Sequence, residues 1–223
     1  MRVDHVIFAA GPAGLDADAD RLAALLGAAA VPGGRHPGWG TRNVLIPLAG
    51  RAYLEVVEVV ERPVALGTAF GSAVAARSDA GGGWVGWVVA VDDVAGSSVR
   101  LGREVASGHR RRPDGVELRW RTLGVDVLVT DPELPFLISW DVPDGLHPAS
   151  GAQAVAAGPR LAGLELAGDA ARLSTWIGAD LTTAFPGITV TVTPAGSGRP
   201  AGLSRVTLVA AAGHAVPLTG GIT

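Results

Sequence analysis

Apolar and polar residues alternate in a repeating order along the chain, and that order predicts strands and helices. Residues 2–9 (RVDHVIFA) alternate like a strand with one buried face, and His5 lies on a face that is otherwise apolar. An amphipathic helix follows, for which Asp16 is the expected N-cap and Gly27 the end. Two further strands complete this first segment, and Glu55 lies on the second of them. The predicted strands are residues 2–9, 42–48 and 53–60.

The same order of strand, helix and strands returns after about 80 residues, which predicts an internal duplication. Aligning the two copies places Trp87 at the position of His5, and either Ser139 or Ile138 at the position of Glu55. A third, shortened copy follows. We therefore predict a first module at 1–61, a helical and glycine-rich connection at 62–83, a second module at 84–142, a surface linker at 143–159, and a shortened third strand-helix-strand-strand unit at 160–223.

The composition indicates a globular chain and excludes several classes of function. Hydrophobic residues make up 48% of the 223 residues and charged residues only 17%, which is typical of a folded core and not of a disordered chain. The absence of cysteine excludes disulfides, thiolate catalysis and cysteine-bound zinc. The basic run from Arg110 to Arg112 is expected to be a solvated turn, so we expect no nucleic-acid partner. We expect no membrane span, because every apolar run is shorter than the roughly 20 residues of a spanning helix. We also expect no leader, because no charged segment precedes an apolar run at the N-terminus, and we therefore expect a cytoplasmic location.

A glycine-rich segment, residues 33–43 (GGRHPGWGTRN), is predicted to be a loop and is the second candidate for function. Loops that a sheet holds in place often carry binding groups. In the functional interpretation, Arg42 or Arg35 holds an anion or carboxylate, since guanidinium groups pair with such groups bidentately, and Trp39 covers an apolar part of the substrate. In the alternative, the segment is a hairpin whose arginines face water.

The strand at residues 116–122 (VELRWRT) alternates charged and apolar side chains. Arg119 shares its face with Glu117 and Arg121, so this face is either the solvent side or the wall of a polar cavity. The chain has neither a glycine-rich phosphate loop with its lysine nor a serine nucleophile elbow in a strand-to-helix context. The sequence therefore gives no support to nucleotide hydrolysis or to serine hydrolase chemistry.

The segments DHVIFA, GGRHPGWGTRNVLIPL, YLEVVE and LPFLISWD resemble the glyoxalase-like proteins of the vicinal oxygen chelate superfamily. That superfamily includes glyoxalases, extradiol dioxygenases, and fosfomycin and bleomycin resistance proteins. The resemblance implies an α+β fold in which tandem βαβββ modules curl mixed sheets around a cavity, here with a shortened third module. It also implies a divalent metal (Zn, Fe, Mn, Co or Ni) held by a histidine on the first strand and a glutamate on the last strand of a module, which match His5 and Glu55. The second module offers Trp87 and Ser139 instead, and neither is a good metal ligand.

These features predict a protein that binds a small molecule in one cavity. The first hypothesis is a metal-assisted enzyme of lyase, isomerase or dioxygenase type that acts on a small oxygen-bearing substrate, with Glu55 as ligand or base. The alternative is a metal-free binding or sequestering protein, in which His5 and Glu55 form a buried hydrogen-bonded pair. A homodimer is a possible assembly. The predicted substrate-binding residues are His36, Trp39, Arg42, Asn43, Trp87, Arg119 and Ser139, and the predicted metal ligands are His5 and Glu55.

Overall fold

The computed structural model describes residues 1–150, 158–196, 198 and 200–220, and it has an α+β fold with two sheets. The first eight strands close into a barrel, and the last four form a second sheet. The strands are β1 (Arg2–Ala9), β2 (Val31–His36), β3 (Thr41–Leu48), β4 (Ala52–Val59), β5 (Gly83–Ala90), β6 (Val105–Arg111), β7 (Glu117–Leu123), β8 (Phe136–Trp140), β9 (Arg160–Ala167), β10 (Thr189–Thr193), β11 (Gly202–Val209) and β12 (Ala215–Thr219). The α-helices are α1 (Leu15–Leu26), α2 (Arg62–Leu66), α3 (Ala69–Asp79), α4 (Val94–Leu101), α5 (Val127–Thr130), α6 (Ala170–Ile177) and α7 (Leu181–Ala184), and 3-10 turns lie at Pro37–Trp39 and Asp144–Leu146.

The strand order around the barrel is β1-β4-β3-β2-β6-β7-β8-β5. Within each half the first strand is parallel to the fourth, so β1 pairs with β4 and β5 pairs with β8. The halves meet at two antiparallel seams, one between β1 and β5 and the other between β2 and β6. This arrangement confirms the predicted α+β fold with curled mixed sheets, whereas the module boundaries remain predictions. No helix in the described part of the chain is long and apolar enough to cross a membrane.

The outer face of the barrel carries the larger of the two main apolar cores. Val6 and Phe8 of β1 belong to the same buried cluster as Leu22 and Leu26 of α1 and Leu164 of β9. Each such side chain contributes about 1.5–3 kcal/mol when it is fully buried. The helices and the second sheet therefore pack against the barrel from outside, and a second apolar cluster that includes Trp120, Phe136 and Ile138 lies inside it beside the polar residues.

Three strands, β2 and β6 of the barrel and β12 of the second sheet, were not predicted from the alternation of residues. The segment at 33–43 is the second half of β2, a 3-10 turn and the start of β3, which pair antiparallel, so the alternative of a hairpin describes it better than the expected loop. Gly33 and Gly34 suit β2 because neighbouring atoms occupy the positions that side chains would need. A Cβ on Gly33 would lie 2.1 Å from Oδ1 of Asn43, and one on Gly34 would lie 2.3 Å from the carbonyl oxygen of Arg111. The glycines that suggested a loop thus mark a close approach of neighbouring strands.

The first helix differs from the prediction at its start and agrees with it at its end. It begins at Leu15 with Gly14 as N-cap, and Asp16 lies within the first turn. Asp16 is therefore not the N-cap. The carboxylate of Asp18 instead accepts a hydrogen bond of 2.7 Å from the backbone N–H of Gly11, in the loop before the helix. Gly27 ends the helix in the left-handed conformation, with φ of 62°, as glycine readily does.

The segment at residues 144–150, here called the plug, packs against the end of the barrel where β1 begins. His147 and Ala149 are buried, and Ala149 lies in a small apolar cluster with Leu45 and Tyr53. The expectation of a surface linker at 143–159 is therefore wrong for the plug, since the composition of such a segment does not reveal what it covers. Residues 151–157 of that predicted linker lie outside the described residues.

Candidate functional site

The interior of the barrel contains a small cavity whose wall is part aromatic and part polar. Its free volume is about 20 Å³, which is room for about one water molecule. Side chains must therefore move before a larger ligand can enter. The polar wall consists of His5, His36, Asn43, Tyr53, Glu55 and Arg110, and the apolar and aromatic wall of Trp39, Phe70, Trp120, Phe136, Ile138 and Trp140.

Asp4 and His5 are neighbours in sequence, yet their side chains contact each other. Regular alternation would place them on opposite faces of β1. The pairing of β1 with β5 shifts between Val3 and His5, so Asp4 is the extra residue of a β-bulge. Oδ2 of Asp4 then lies 2.9 Å from Nδ1 of His5. The bulge creates an acid-histidine pair that the sequence pattern did not predict.

The carboxylate of Asp4 is the centre of a buried hydrogen-bond network. Nη1 of Arg2 donates to it at 2.6 Å, Nε1 of Trp140 at 3.1 Å, and Nε2 of His147 lies at 3.2 Å. Burial raises the pKa of Asp4, but hydrogen bonds from His147 and His5 and the charges of His5 and Arg2 outweigh it, and the pKa lies well below its ordinary value. Asp4 is therefore ionised and acts as an acceptor.

The orientation of His5 is fixed by this contact and by ring packing. Because ionised Asp4 can only accept, Nδ1 of His5 donates, and in the neutral ring Nε2 keeps its lone pair. Nε2 lies 3.6 Å from Oε2 of Glu55, which is longer than a hydrogen bond. The ring stacks on Tyr53 with centroids 4.5 Å apart and meets the edge of Phe136 at 6.1 Å. His5 thus presents Nε2 to Glu55, with a lone pair when the ring is neutral.

Asn43 connects Glu55 to a buried arginine. Its amide nitrogen donates to Oε1 of Glu55, and its amide oxygen accepts from Nη1 of Arg110 at 2.9 Å. The expectation of a solvated basic run is wrong for Arg110, because alternation along β6 turns it inward while Arg111 and Arg112 remain on the surface. Burial lowers the pKa of Arg110, yet a guanidinium remains charged in proteins.

Two further polar residues of the wall are neutral. Nδ1 of His36 lies 3.1 Å from the hydroxyl of Thr41. Burial lowers the pKa of His36 well below its ordinary value, and the positive charges of Arg110 and His5 lower it further. Burial raises the pKa of Tyr53 well above its ordinary value, and the charges of Asp4 and Glu55 raise it further. A neutral imidazole and a neutral phenol thus border the ionised groups.

The protein is expected to lose stability as the pH falls below about 6.5, the ordinary pKa of histidine. The unfolded chain takes up a proton at His36 there, whereas folded His36 does not, because its pKa is lowered well below that value. The contribution is complete above this pH and is lost as the pH falls, by about 1.4 kcal/mol per pH unit for one proton.

Urea unfolding between about pH 7 and about pH 5 measures this slope. His36→Gln should show a shallower slope than the wild type, and His214→Gln, at an exposed position, should keep the wild-type slope. Parallel slopes for the His36 variant and the wild type would contradict the prediction.

Of the residues predicted for the second half of the barrel, Trp87 and Ser139 lie outside the cavity. Trp87 is fully buried in the outer core, where its indole N–H donates to the carbonyl of Glu133 at 3.1 Å and its ring meets Phe185. Ile138 lines the cavity, so Ser139 lies on the opposite face of β8. Ile138, an apolar residue, therefore occupies the inward position in the second half that corresponds to Glu55.

Arg42 and Arg119, the arginines predicted to bind substrate, lie outside the cavity as well. Arg42 is bonded to Glu58, and the side chain is 41% exposed. Arg119 is 72% exposed and donates to Glu117 at 2.7 Å. Alternation in β3 and β7 turns both side chains outward, and solvent is thus the correct interpretation of the charged face of β7. His36, Trp39 and Asn43 do lie in the cavity wall.

Several residues of the network were not predicted from the sequence. Asp4 carried a signal, because an acid beside a histidine on an apolar strand needs a partner when it is buried. His147 and Arg110 carried none, since each lies in a segment whose composition is typical of a surface.

The donor set does not fit the metal site that the resemblance implies. Nε2 of His5 and Oε2 of Glu55 are 3.6 Å apart, a spacing that two bonds of about 2.0–2.2 Å to one ion can span. No third ligand is present among the residues that the structure describes, because the oxygen of Asn43 is bonded to Arg110 and the other half presents Ile138. The described ranges contain no group of three or more His, Cys, Asp or Glu residues able to hold a metal. The buried guanidinium would also repel a cation.

Substituting Gly33→Ala is expected to cost about 1–3 kcal/mol of stability through overpacking. The new methyl group would lie 2.1 Å from Oδ1 of Asn43 and 2.5 Å from Nη1 of Arg110, so it must push that pair apart. Urea unfolding measures the loss. Gly38→Ala is the matched control, since its Cβ meets nothing within 4 Å, and it should stay within about 0.5 kcal/mol of the wild type. Equal stability of both variants would argue against a close approach at Gly33.

The family model described as "Glyoxalase-like domain" matches residues 3–182. A solved structure of a hypothetical protein from Staphylococcus aureus is similar, with a TM-score of 0.64 and 15% identity, over 99% of this chain and 86% of that one. No curated protein sequence gave a significant match.

Structures of methylmalonyl-CoA epimerases match with TM-scores of 0.46. The protein from Mycobacterium tuberculosis has 16% identity and the one from Streptomyces coelicolor 19%, covering 64% of this chain and 89% and 99% of theirs. Because the family model matches most of the sequence, the chain belongs to the glyoxalase-like domain family, as the resemblance implied.

Proposed function

We propose that the protein is an isomerase or lyase that moves a proton on a small carbonyl compound bound in the barrel cavity. The observation that carries this proposal is the orientation of His5: ionised Asp4 holds Nδ1, and Nε2 faces Glu55 across 3.6 Å inside a buried cavity. A free imidazole nitrogen beside a carboxyl group is a pair able to take up and return a proton.

The chemistry begins with a carbon-bound hydrogen next to a carbonyl group. Nε2 of His5 removes this proton, the electron pair of the C–H bond moves toward the carbonyl oxygen, and an enolate forms. The imidazolium that results is stabilised by ionised Asp4, as an acid-histidine pair does in other enzymes. Glu55, when protonated, returns a proton to the neighbouring atom. Isomerisation follows when this proton goes to a different atom or face of the enolate, and elimination follows when the enolate instead expels a leaving group, which departs with the electron pair of its bond and takes the proton of Glu55. Transfer of the proton on Nε2 of His5 to Glu55 then restores the starting pair.

Substrate entry requires the wall to move. Trp39 is half-buried on the 3-10 turn between β2 and β3, and its ring stacks on Phe70 with centroids 4.3 Å apart. Displacing this ring pair would enlarge the cavity next to His36, whose ring centroid is 5.4 Å from that of Trp39. Closure over the substrate would then exclude water from the enolate.

The metal-assisted lyase, isomerase or dioxygenase of the sequence analysis requires a third ligand that the donor set lacks. We expect the protein to retain less than about a tenth of an equivalent of metal after incubation with Zn²⁺, Mn²⁺, Fe²⁺, Co²⁺ or Ni²⁺ and desalting, because firm sites need three or more protein ligands. Elemental analysis measures the content. Retention of one equivalent by the wild type, lost in His5→Ala, would contradict this expectation.

A metal-free binding or sequestering protein is the second candidate. It is supported by the closure of the cavity, with the plug over one end and a free volume of only about 20 Å³. A protein that only holds its ligand needs no proton transfer, so the two candidates predict different results in one experiment.

The experiment is hydrogen exchange from carbon in heavy water. The protein is incubated with pyruvate, pyruvamide, dihydroxyacetone and similar small carbonyl compounds, and the C–H signals are followed by proton NMR. Loss of a signal faster than in buffer, and dependent on His5, supports the isomerase or lyase. Binding of a compound without any exchange from it would favour the second candidate and overturn the first.

A further inference from the structure

Arg110 is a buried cation without a counter-ion. Its side chain is 3% exposed, and it is the only arginine among the buried residues in the described part of the chain. No described carboxylate oxygen lies within 4 Å of its guanidinium, whereas the exposed Arg119 and Arg121 are both in ion pairs. A charge removed from water is costly unless it is paired, so an unpaired one calls for a partner.

The hydrogen bonds of Arg110 leave most of its donors unused. Nη1 donates to Asn43 at 2.9 Å, and Nε is buried without a partner. The charge of Glu55 acts on Arg110, but its carboxylate does not contact the guanidinium directly, because the amide of Asn43 stands between them. A guanidinium has five N–H donors arranged as a fork that matches a carboxylate.

Trp120 adds a second unsatisfied donor to the same wall. Its indole nitrogen is buried without a hydrogen-bond partner and lies against Gly108, where a Cβ would meet it at 2.2 Å. Buried donors of this kind are rare in folded proteins and usually mark a ligand or water. The two buried side-chain nitrogens of this wall that lack a partner are thus both donors, and one of them belongs to a cation, a combination that suits a negatively charged oxygen ligand.

We infer that the cavity binds the carboxylate of a small carboxylic acid, with Arg110 as its counter-ion and Trp120 as an additional donor. This inference rests on the proposed function and specifies its substrate class: a short acid whose carbonyl carbon lies close to its carboxylate. Asn43 contacts both Arg110 and Glu55 and so fixes the distance between the group that binds and the group that reacts. Arg42 and Arg35, expected in this role from the sequence, do not line the cavity.

The test compares acids with amides of the same shape. Binding of pyruvate and pyruvamide, and of propionate and propionamide, is measured by thermal shift and calorimetry. The wild type should bind at least one acid at millimolar concentrations and its amide at least about tenfold more weakly, as expected for a charged hydrogen-bonded pair. Arg110→Gln should lose the preference, and Arg111→Gln, which removes the same charge from the surface of the same strand, should keep it.

The variant without ligand gives a second readout. Because Arg110→Gln removes an unpaired buried charge, its melting temperature without ligand should equal or exceed that of the wild type. If this variant does not fold, the inference is wrong, since Arg110 would then be a structural residue. Equal binding of acid and amide by the wild type, an unchanged preference in Arg110→Gln, or no binding of any acid would also overturn it.

The outcomes separate this inference from the proposed function. If exchange depends on His5 and proceeds equally with pyruvate and pyruvamide, the proton-transfer proposal stands and the inference of a carboxylate site is wrong. Binding of acids through Arg110 without exchange would support the carboxylate site and count against the enzyme.

Discussion

Replacing Asp4 with alanine is expected to lower the free energy of unfolding by about 3–5 kcal/mol, the range found when one partner of a buried charge network is removed. The carboxylate is fully buried and holds Arg2, His5, Trp140 and His147. Without the carboxylate these donors lie beside an apolar methyl group, and the plug loses the contact between His147 and Asp4. Urea unfolding at neutral pH measures the change.

The matched control is Asp92→Ala, because the side chain of Asp92 is fully exposed and its only ion pair in the described structure is a 3.6 Å contact with the N-terminus. It should change stability by less than about 0.5 kcal/mol. A loss below about 1 kcal/mol in Asp4→Ala would show that the network contributes little.

The Asp4 effect should also depend on pH in a definite direction. The pKa of Asp4 is lowered in the folded state, so its contribution is complete above the unfolded value of about 3.9 and is lost as the pH falls toward the folded pKa. The difference between the wild type and Asp4→Asn should therefore be constant above about pH 5 and shrink below about pH 4.

Replacing His5 with asparagine or Glu55 with glutamine is expected to slow carbon-hydrogen exchange by about 10²–10⁴-fold, the usual contribution of a general acid or base. Glutamine preserves the shape of Glu55 and still accepts from Asn43, whereas it cannot carry a proton to or from substrate. The double variant should be little slower than either single one, because the two groups act as a unit. Proton NMR in heavy water gives the rates.

Glu58→Gln is the control for the Glu55 variant. Glu58 lies on the same strand but is bonded to Arg42 on the surface, so the exchange rate should not change. If Glu55→Gln keeps the wild-type rate and loses about 1–3 kcal/mol of stability, then His5 and Glu55 are a buried structural pair.

The repeated order of strands and helices, together with the resemblance, was sufficient to predict the fold class, and alternation placed His5 and Glu55 on one side of neighbouring strands. A side-chain period of two is a property of the strand itself, so these positions can be read from the chain alone. The structure brings the two side chains to 3.6 Å, and their roles remain proposals.

Asp4, Trp87 and Arg110 could not be placed in the same way. The bulge at Asp4 is set by the pairing of β1 with β5, 80 residues later, and a bulge changes which face a side chain takes. Trp87 was assigned inward by alignment, although a shift of one residue reverses the face. Arg110 belongs to a strand whose composition resembles a turn, and its burial follows from closure of the barrel.

The seam between β2 and β6 has a consequence for how the barrel moves. Register pairing joins these strands only at Arg35 and Arg111, whereas β3 and β4 pair at eight positions. The strands of this seam are more than 70 residues apart in sequence, so loop-closure entropy opposes the contact and little ladder bonding offsets it. Local breathing therefore costs least at this seam. Arg110 precedes Arg111 on the same strand, and a brief opening there would give solutes a path to its guanidinium while the remaining strands stay paired.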